Sequence, residues 1–321
     1  MPEEYNPIFI VGCGRSGTTL LRLILNRHSL VAIPEETWFF PELHKRMPNI
    51  LLKRGWKHEV ARTIFELNPI HFPGLRPADL MPVLNRTEQH DISGIIASIN
   101  RSYALRVNKP IWGDKTPGYV LYLPLIKRIY PDAKVIHMIR DPRDVVESLL
   151  NNWSAGPQTS DFRETVDYWV RNVSAGRRDG PRYFGANYTE VYFEKVVENP
   201  QKEIPGLCDF LEIPYEDQML EVSTDFAEII PDWEHHKKTQ HPIDPGMAFK
   251  WKKDYPDYKL SYINIVAGSM LQQLGYFTSH KLNIKAIIHF ILKKLKDGYN
   301  YSLLRFKVFA YNMLKLKYWR R

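Results

Sequence analysis

Apolar positions along the chain follow two rhythms. Residues 7–11 (PIFIV) form a short continuous apolar run ahead of glycines, the pattern of a strand buried on both faces. Residues 134–139 (KVIHMI) read as a second such strand, with shorter ones at 30–33, 111–113 and 189–193. Between them the spacing turns helical. Leucines at 20, 21 and 25 mark a helix over 18–27, and Val145, Val146 and Leu149 give an apolar side to a helix that Asp141 caps and Pro142 begins. Further helices are predicted over 119–130, 162–178, 200–211 and 259–274. Strands alternating with helices at these spacings predict an α/β fold with a parallel sheet flanked by helices. Residues 38–110, rich in Pro, Trp and His and without a long strand, read as a helical insertion.

The chain has 321 residues, of which 44% are hydrophobic and 25% charged, enough for one large globular domain with an appendage. Two cysteines, Cys13 and Cys208, make neither a disulfide framework nor a zinc motif. The first strand follows the N-terminus almost at once, which leads to the expectation of a cytoplasmic protein. The net charge of +8 is concentrated. Residues 281–321 carry eight lysines, three arginines and one aspartate, a net +10, which leaves −2 on residues 1–280. The chain is therefore divided into a body over 1–280 and a basic tail over 281–321.

After the first strand comes VGCGRSGTTLL. Gly12, Gly17 and Thr19 occupy the places of a phosphate-cradling loop, but Thr18 stands where that loop has its lysine. Loss of the lysine argues against a metal-bound triphosphate. The loop retains Arg15, and the N–H groups of Arg15, Ser16, Gly17, Thr18 and Thr19 converge on an anion at a helix N-terminus. A tight glycine turn without ligand is the alternative from the loop alone. A second candidate anchor is RDPRDVVES, with Arg140 at a strand end and Ser148 two turns into the helix. Carboxyl ends of parallel strands share one crevice, so this pair can meet a second phosphate near the first. Alternatively, its charges are a solvated ion-pair cluster.

Together these two stretches resemble the sulfotransferases that use 3'-phosphoadenosine-5'-phosphosulfate, in particular the branch with tyrosylprotein sulfotransferases and bacterial small-molecule or glycan sulfotransferases. The resemblance extends to EET at Glu35–Thr37, DKTP at Asp114–Pro117, Tyr192 and FKW at Phe249–Trp251. It implies that Arg15–Thr19 hold the 5'-phosphosulfate and that Arg140 and Ser148 hold the 3'-phosphate, with Tyr192 nearby and Lys250 over the phosphates. It implies that Glu36 is the general base, with Glu35 as rival because Pro34 replaces a glycine, and that Lys115 and Arg15 stabilise the leaving phosphate. A family serine on the phosphosulfate has no clear counterpart, Thr239 being nearest. The products are a sulfated hydroxyl and 3',5'-adenosine bisphosphate, with no metal. The expected acceptor is a carbohydrate, lipid or other small molecule. A protein-tyrosine acceptor and an ATP-using P-loop kinase are the alternatives. The insertion and residues 231–250 are expected to shape the acceptor pocket.

Histidine offers rival bases at His28, His71, His90 and His137, and a solvated cluster at His235, His236 and His241. Glu36 is preferred to each. In the tail, apolar residues at 284, 287, 288, 291, 292 and 295 follow helical spacing beside Lys285, Lys293, Lys294 and Lys296, and a second helix follows Gly298. Basic amphipathic helices suit an anionic membrane surface, here the inner face of the cytoplasmic membrane. Packing on the body or across a homodimer is the alternative, and no nucleic-acid motif is present.

Overall fold

The computed structural model describes residues 5–67, 77–87, 91–151, 161–221, 243–253 and 255–277, with isolated positions between 284 and 295. Five strands form the centre: β1 (Ile8–Gly12), β2 (Val31–Ala32), β3 (Ile111–Lys115), β4 (Lys134–Ile139) and β5 (Tyr188–Tyr192). All pairings are parallel, in the order β2-β3-β1-β4-β5. The described helices are α1 (Thr18–Asn26), α2 (Phe40–Leu51), α3 (Trp56–Leu67), α4 (Pro77–Arg86), α5 (Ile92–Arg106), α6 (Leu123–Ile129), α7 (Pro142–Asn151), α8 (Phe162–Phe184), α9 (Phe193–Glu198), α10 (Pro200–Leu211) and α11 (Asp257–Leu274). The expected parallel α/β sheet is present, and among the described residues four helices, α2 to α5, occupy the 38–110 segment.

Every residue of β1 is buried because both faces of the sheet are covered. Alternate side chains point to opposite faces. Ile8 and Ile10 join α1, α9 and α10 in one core, while Phe9 and Val11 join the insertion helices and α6 in the other. Phe9, Trp112 and Tyr130 form an aromatic cluster on the second face, with ring centroids 5.4–6.2 Å apart.

Three elements differ from the sequence reading. The helix expected over 119–130 starts as a 3-10 turn at Pro117–Tyr122 and becomes α only in α6. Pro124 has no N–H to offer Val120, so an α ladder cannot run through. Helix α8 continues past 178 to Phe184, through Gly180 and Pro181. Gly180 is required there, since a Cβ would lie 2.1 Å from the Tyr188 ring. Strand β3 runs on to Lys115, which places Asp114 and Lys115 at a strand's carboxyl end rather than in a loop.

The chain divides into two compact units, Met1–Lys250 and Trp251–Arg321. In the second, α11 ends at Gly275, whose φ of 75° supplies the left-handed turn of a helix C-cap. Ile284, Ile288, Ile291, Leu292 and Leu295 are helical and exposed. The second tail helix expected after Gly298 lies outside the described residues. No described helix is long and apolar enough to cross a membrane.

Candidate active site

The loop from β1 to α1 is shaped by backbone that only glycine adopts comfortably. Gly17 has a φ of 95°, and a Cβ there would lie 2.3 Å from the Phe193 ring. A Cβ on Gly12 would lie 2.5 Å from the Met138 carbonyl oxygen, so the loop passes directly against β4. Arg15 is left-handed as well, with φ 69°. Gly17 is the N-cap of α1 and provides no side-chain acceptor for the first-turn N–H groups. Ser16 Oγ is fully buried and has no hydrogen-bond partner among the described residues. Uncapped amides and an orphaned hydroxyl at a helix N-terminus fit a bound phosphate group.

The second candidate anchor reaches the same place. Arg15 Nε donates to Ser148 Oγ of α7 at 3.0 Å. Arg140, one residue beyond β4, donates to the Arg15 carbonyl at 3.3 Å and to the Met247 carbonyl at 3.0 Å. Its guanidinium lies 4.2 Å from the centre of the Phe193 ring and 3.5 Å from Asp144, while its Nε is buried without a partner among the described residues. Trp169 of α8 fixes the strand end by donating to the Arg140 carbonyl at 3.0 Å. Burial first, and the Arg140 charge second, lower the Arg15 pKa, with Glu36 opposing. Two guanidiniums sharing one crevice are relieved by a multiply charged anion.

Tyr192 and Lys250 are the remaining candidates, and Tyr192 stands opposite Ile139 at the end of β4. Tyr192 ends β5, donates to Glu190 at 3.0 Å and lies under the Lys195 ammonium at 4.8 Å. Burial, then Glu190, pushes its hydroxyl up to about 12. The Lys250 N–H donates to Asp144 at 3.3 Å, so its backbone joins the acid that pairs with Arg140. Thr239, His235, His236 and His241 lie outside the described residues, as do His71 and His90.

On the other side of β1, β3 brings Lys115 to the acids. Glu36 Oε1 accepts from Lys115 Nζ at 2.8 Å, and Oε2 accepts from the Trp38 indole N–H at 2.7 Å. Lys115 Nζ also lies 3.3 Å from Thr19 Oγ1, which links the acids to the phosphate loop. Glu35 turns the other way. It is buried in an ion pair with Arg22 of α1, and Lys115 is 3.9 Å off.

Beneath the acids lies a hydrogen-bond network whose protons all run toward one carboxylate. Thr37 Oγ1 donates to Asp114 Oδ2 at 2.7 Å, and Thr116 Oγ1 donates to Asp114 Oδ1 at 2.8 Å. The Thr37 N–H donates to Thr116 Oγ1 at 3.0 Å, and Tyr119 OH lies 2.6 Å from Thr37 Oγ1. Burial pushes Asp114 up to about 6 although both hydroxyls and Lys115 pull it down. Thr37 and Asp114 lie in the EET and DKTP stretches, and their task is visible only in this network. Trp38 and Phe193 had no sequence signal at all, because their importance lies in where a neighbouring strand puts them.

The histidine alternatives have structural partners. His137 is buried in β4 with Nδ1 at 2.7 Å from Tyr188 OH, and burial pushes it down to about 3. His28 is buried, with Nε2 2.7 Å from the Pro214 carbonyl and Nδ1 accepting from the Leu30 N–H at 3.0 Å. Cys13 and Cys208 are buried free thiols.

Residues 7–217 match the model of the sulfotransferase family. The chain belongs to that family. Its members' donor is 3'-phosphoadenosine-5'-phosphosulfate, and the protein is a sulfotransferase that uses it. Protein-tyrosine sulfotransferase A of Caenorhabditis elegans is 27% identical over 279 residues, covering 84% of this chain and 67% of that protein. Human protein-tyrosine sulfotransferase 1 is 26% identical over 281 residues, covering 84% and 69%. Among solved structures, the sulfotransferase domain of the Synechococcus PCC 7002 olefin synthase superposes with a TM-score of 0.61 at 21% identity, covering 87% of this chain and 98% of that one, a likeness of fold. These findings correct the expected location. The worm and human relatives carry the name protein-tyrosine sulfotransferase, and against them the cytoplasmic placement of this sulfotransferase, with its tail on the inner membrane face, does not stand.

Proposed function

We propose that this sulfotransferase transfers the sulfuryl group in line to an acceptor hydroxyl, with Glu36 as general base. Arg15, Ser16, Gly17, Thr18 and Thr19 hold the 5'-phosphosulfate. Arg140 and Ser148 hold the 3'-phosphate, beside Tyr192 and Lys250. The donor supplies an activated sulfuryl group and a phosphate leaving group. Lys115 and Arg15 neutralise charge on that phosphate, and Glu36 takes the acceptor proton.

One observation carries the choice of base. The Glu36 side chain is 27% exposed beside Lys115, whereas Glu35 is 5% exposed and committed to Arg22. A base must reach a proton that arrives from outside. The acceptor is proposed to be a protein tyrosine, after the names of the worm and human relatives. A carbohydrate, lipid or other small-molecule hydroxyl is the second reading, favoured by the basic apolar tail. That tail, net +10, is proposed to lie on an anionic bilayer. The test is transfer of radiolabelled sulfate to tyrosine peptides, sugars and lipid alcohols. Glu36→Ala is expected to lower turnover about 10²–10⁴-fold with unchanged affinity for 3',5'-adenosine bisphosphate. Full activity in that variant excludes Glu36 as base.

A further inference from the structure

Trp38 is an exposed aromatic held in a costly backbone. It is 45% exposed, and its φ of 53° is left-handed, a region that bulky residues occupy only when their surroundings impose it. The chain is pinned on both sides of it. Before it, the Thr37 N–H donates to Thr116 Oγ1 at 3.0 Å; after it, the Phe40 N–H donates to Tyr119 OH at 3.1 Å and the Phe39 side chain is fully buried. The turn between those pins pushes the indole out of the core beside Glu36.

The ring is fixed at two points. Its N–H donates to Glu36 Oε2 at 2.7 Å. Its far edge lies over Gly118, where a Cβ would come 2.8 Å from Cζ3 and 3.0 Å from Cη2. The other Glu36 oxygen faces Lys115, the residue placed at the donor. A flat, half-exposed apolar surface is thus held against the carboxylate.

We propose that Trp38 positions the acceptor: its indole N–H fixes one oxygen of Glu36, and its exposed face receives the flat ring that carries the acceptor hydroxyl. The proposal rests on Glu36 being the base. Phenol rings stack on indole, and the apolar C–H face of a pyranose presents a similar flat surface. A hydroxyl on an open alkyl chain has no such surface.

The test uses the full chain, ¹⁵N-labelled, with 3',5'-adenosine bisphosphate present. The Trp38 indole N–H resonance is identified among those of the eight tryptophans by its loss in Trp38→Phe. Glu36→Ala is expected to move it. p-Cresol, methyl β-galactopyranoside and 1-butanol are then added separately. A shift with p-cresol assigns a phenolic acceptor and a shift with the galactoside assigns a sugar ring. Gly118→Ala, which displaces the indole and leaves its chemistry intact, is expected to weaken either shift. In transfer assays Trp38→Ala is expected to raise the acceptor KM about tenfold, with KM restored in Trp38→Phe. An indole resonance that ignores both ring probes, or follows 1-butanol equally, overturns the proposal. If Glu36→Ala retains its transfer rate while the ring response persists, the base assignment fails and the ring-binding role of Trp38 stands.

Discussion

At position 35 the carboxylate turns inward to Arg22, and at position 36 it turns outward to Lys115 and Trp38. The sequence showed two acids at the end of a strand; which of them faced the crevice depended on Arg22, four residues into the next helix of a phosphate loop, and on the length of β3. Asp114 illustrates the cost of holding them. A buried carboxylate whose folded pKa is raised from 3.8 to about 6 makes folding less favourable once it ionises. Its contribution to stability is fully present below pH 4 and lost as pH rises through 6. A shift of this size is worth about 3 kcal/mol. Asp114→Asn is expected to flatten the dependence of urea-unfolding free energy on pH between 4 and 6. An unchanged slope in the variant means that Asp114 does not titrate there.

Among the elements, β1, β4 and α10 could be read from the chain because their burial pattern is written in consecutive apolar residues or helical spacing. The 3-10 turn at Pro117–Tyr122 and the run of α8 through Pro181 could not, since each depends on a local trade between proline's missing N–H and packing against a neighbour. The phosphate loop was legible as a motif, but not the reason for its second glycine. Phe193 of α9, far along the chain, closes on Gly17 and also lies under Arg140. Gly17→Ala therefore strains a left-handed position and displaces that ring. It is expected to destabilise the fold by about 1–3 kcal/mol and to weaken 3',5'-adenosine bisphosphate binding by at least about tenfold, measured by urea unfolding and calorimetry. Wild-type values for both would show that the Phe193 contact is dispensable.

For the whole molecule, charge is segregated: a body of net −2 and a tail of net +10. In the tail helix Ile284, Ile288, Ile291, Leu292 and Leu295 are exposed. The stripe is legible from its spacing, but location is not, because a short apolar N-terminal run and two unpaired cysteines say little about compartment. Removal of residues 281–321 is expected to abolish sedimentation with phosphatidylserine vesicles and to leave binding to neutral vesicles unchanged; undiminished sedimentation removes the membrane role.

Two linked anchors are proposed to select a nucleotide phosphorylated at both ends of its ribose. Arg15 and Arg140 meet through the Arg15 carbonyl, and Ser148 joins them. The most direct measurement is calorimetric titration of 3',5'-adenosine bisphosphate and of 5'-AMP into the wild type, Arg15→Ala and Arg140→Ala. Each charged hydrogen bond lost is worth about 1.5–3 kcal/mol. The prediction is a wild-type preference for the bisphosphate that disappears in Arg140→Ala, with both nucleotides weakened about tenfold or more in Arg15→Ala. Equal affinity of the wild type for the two nucleotides, or bisphosphate binding unaltered in both variants, would contradict it.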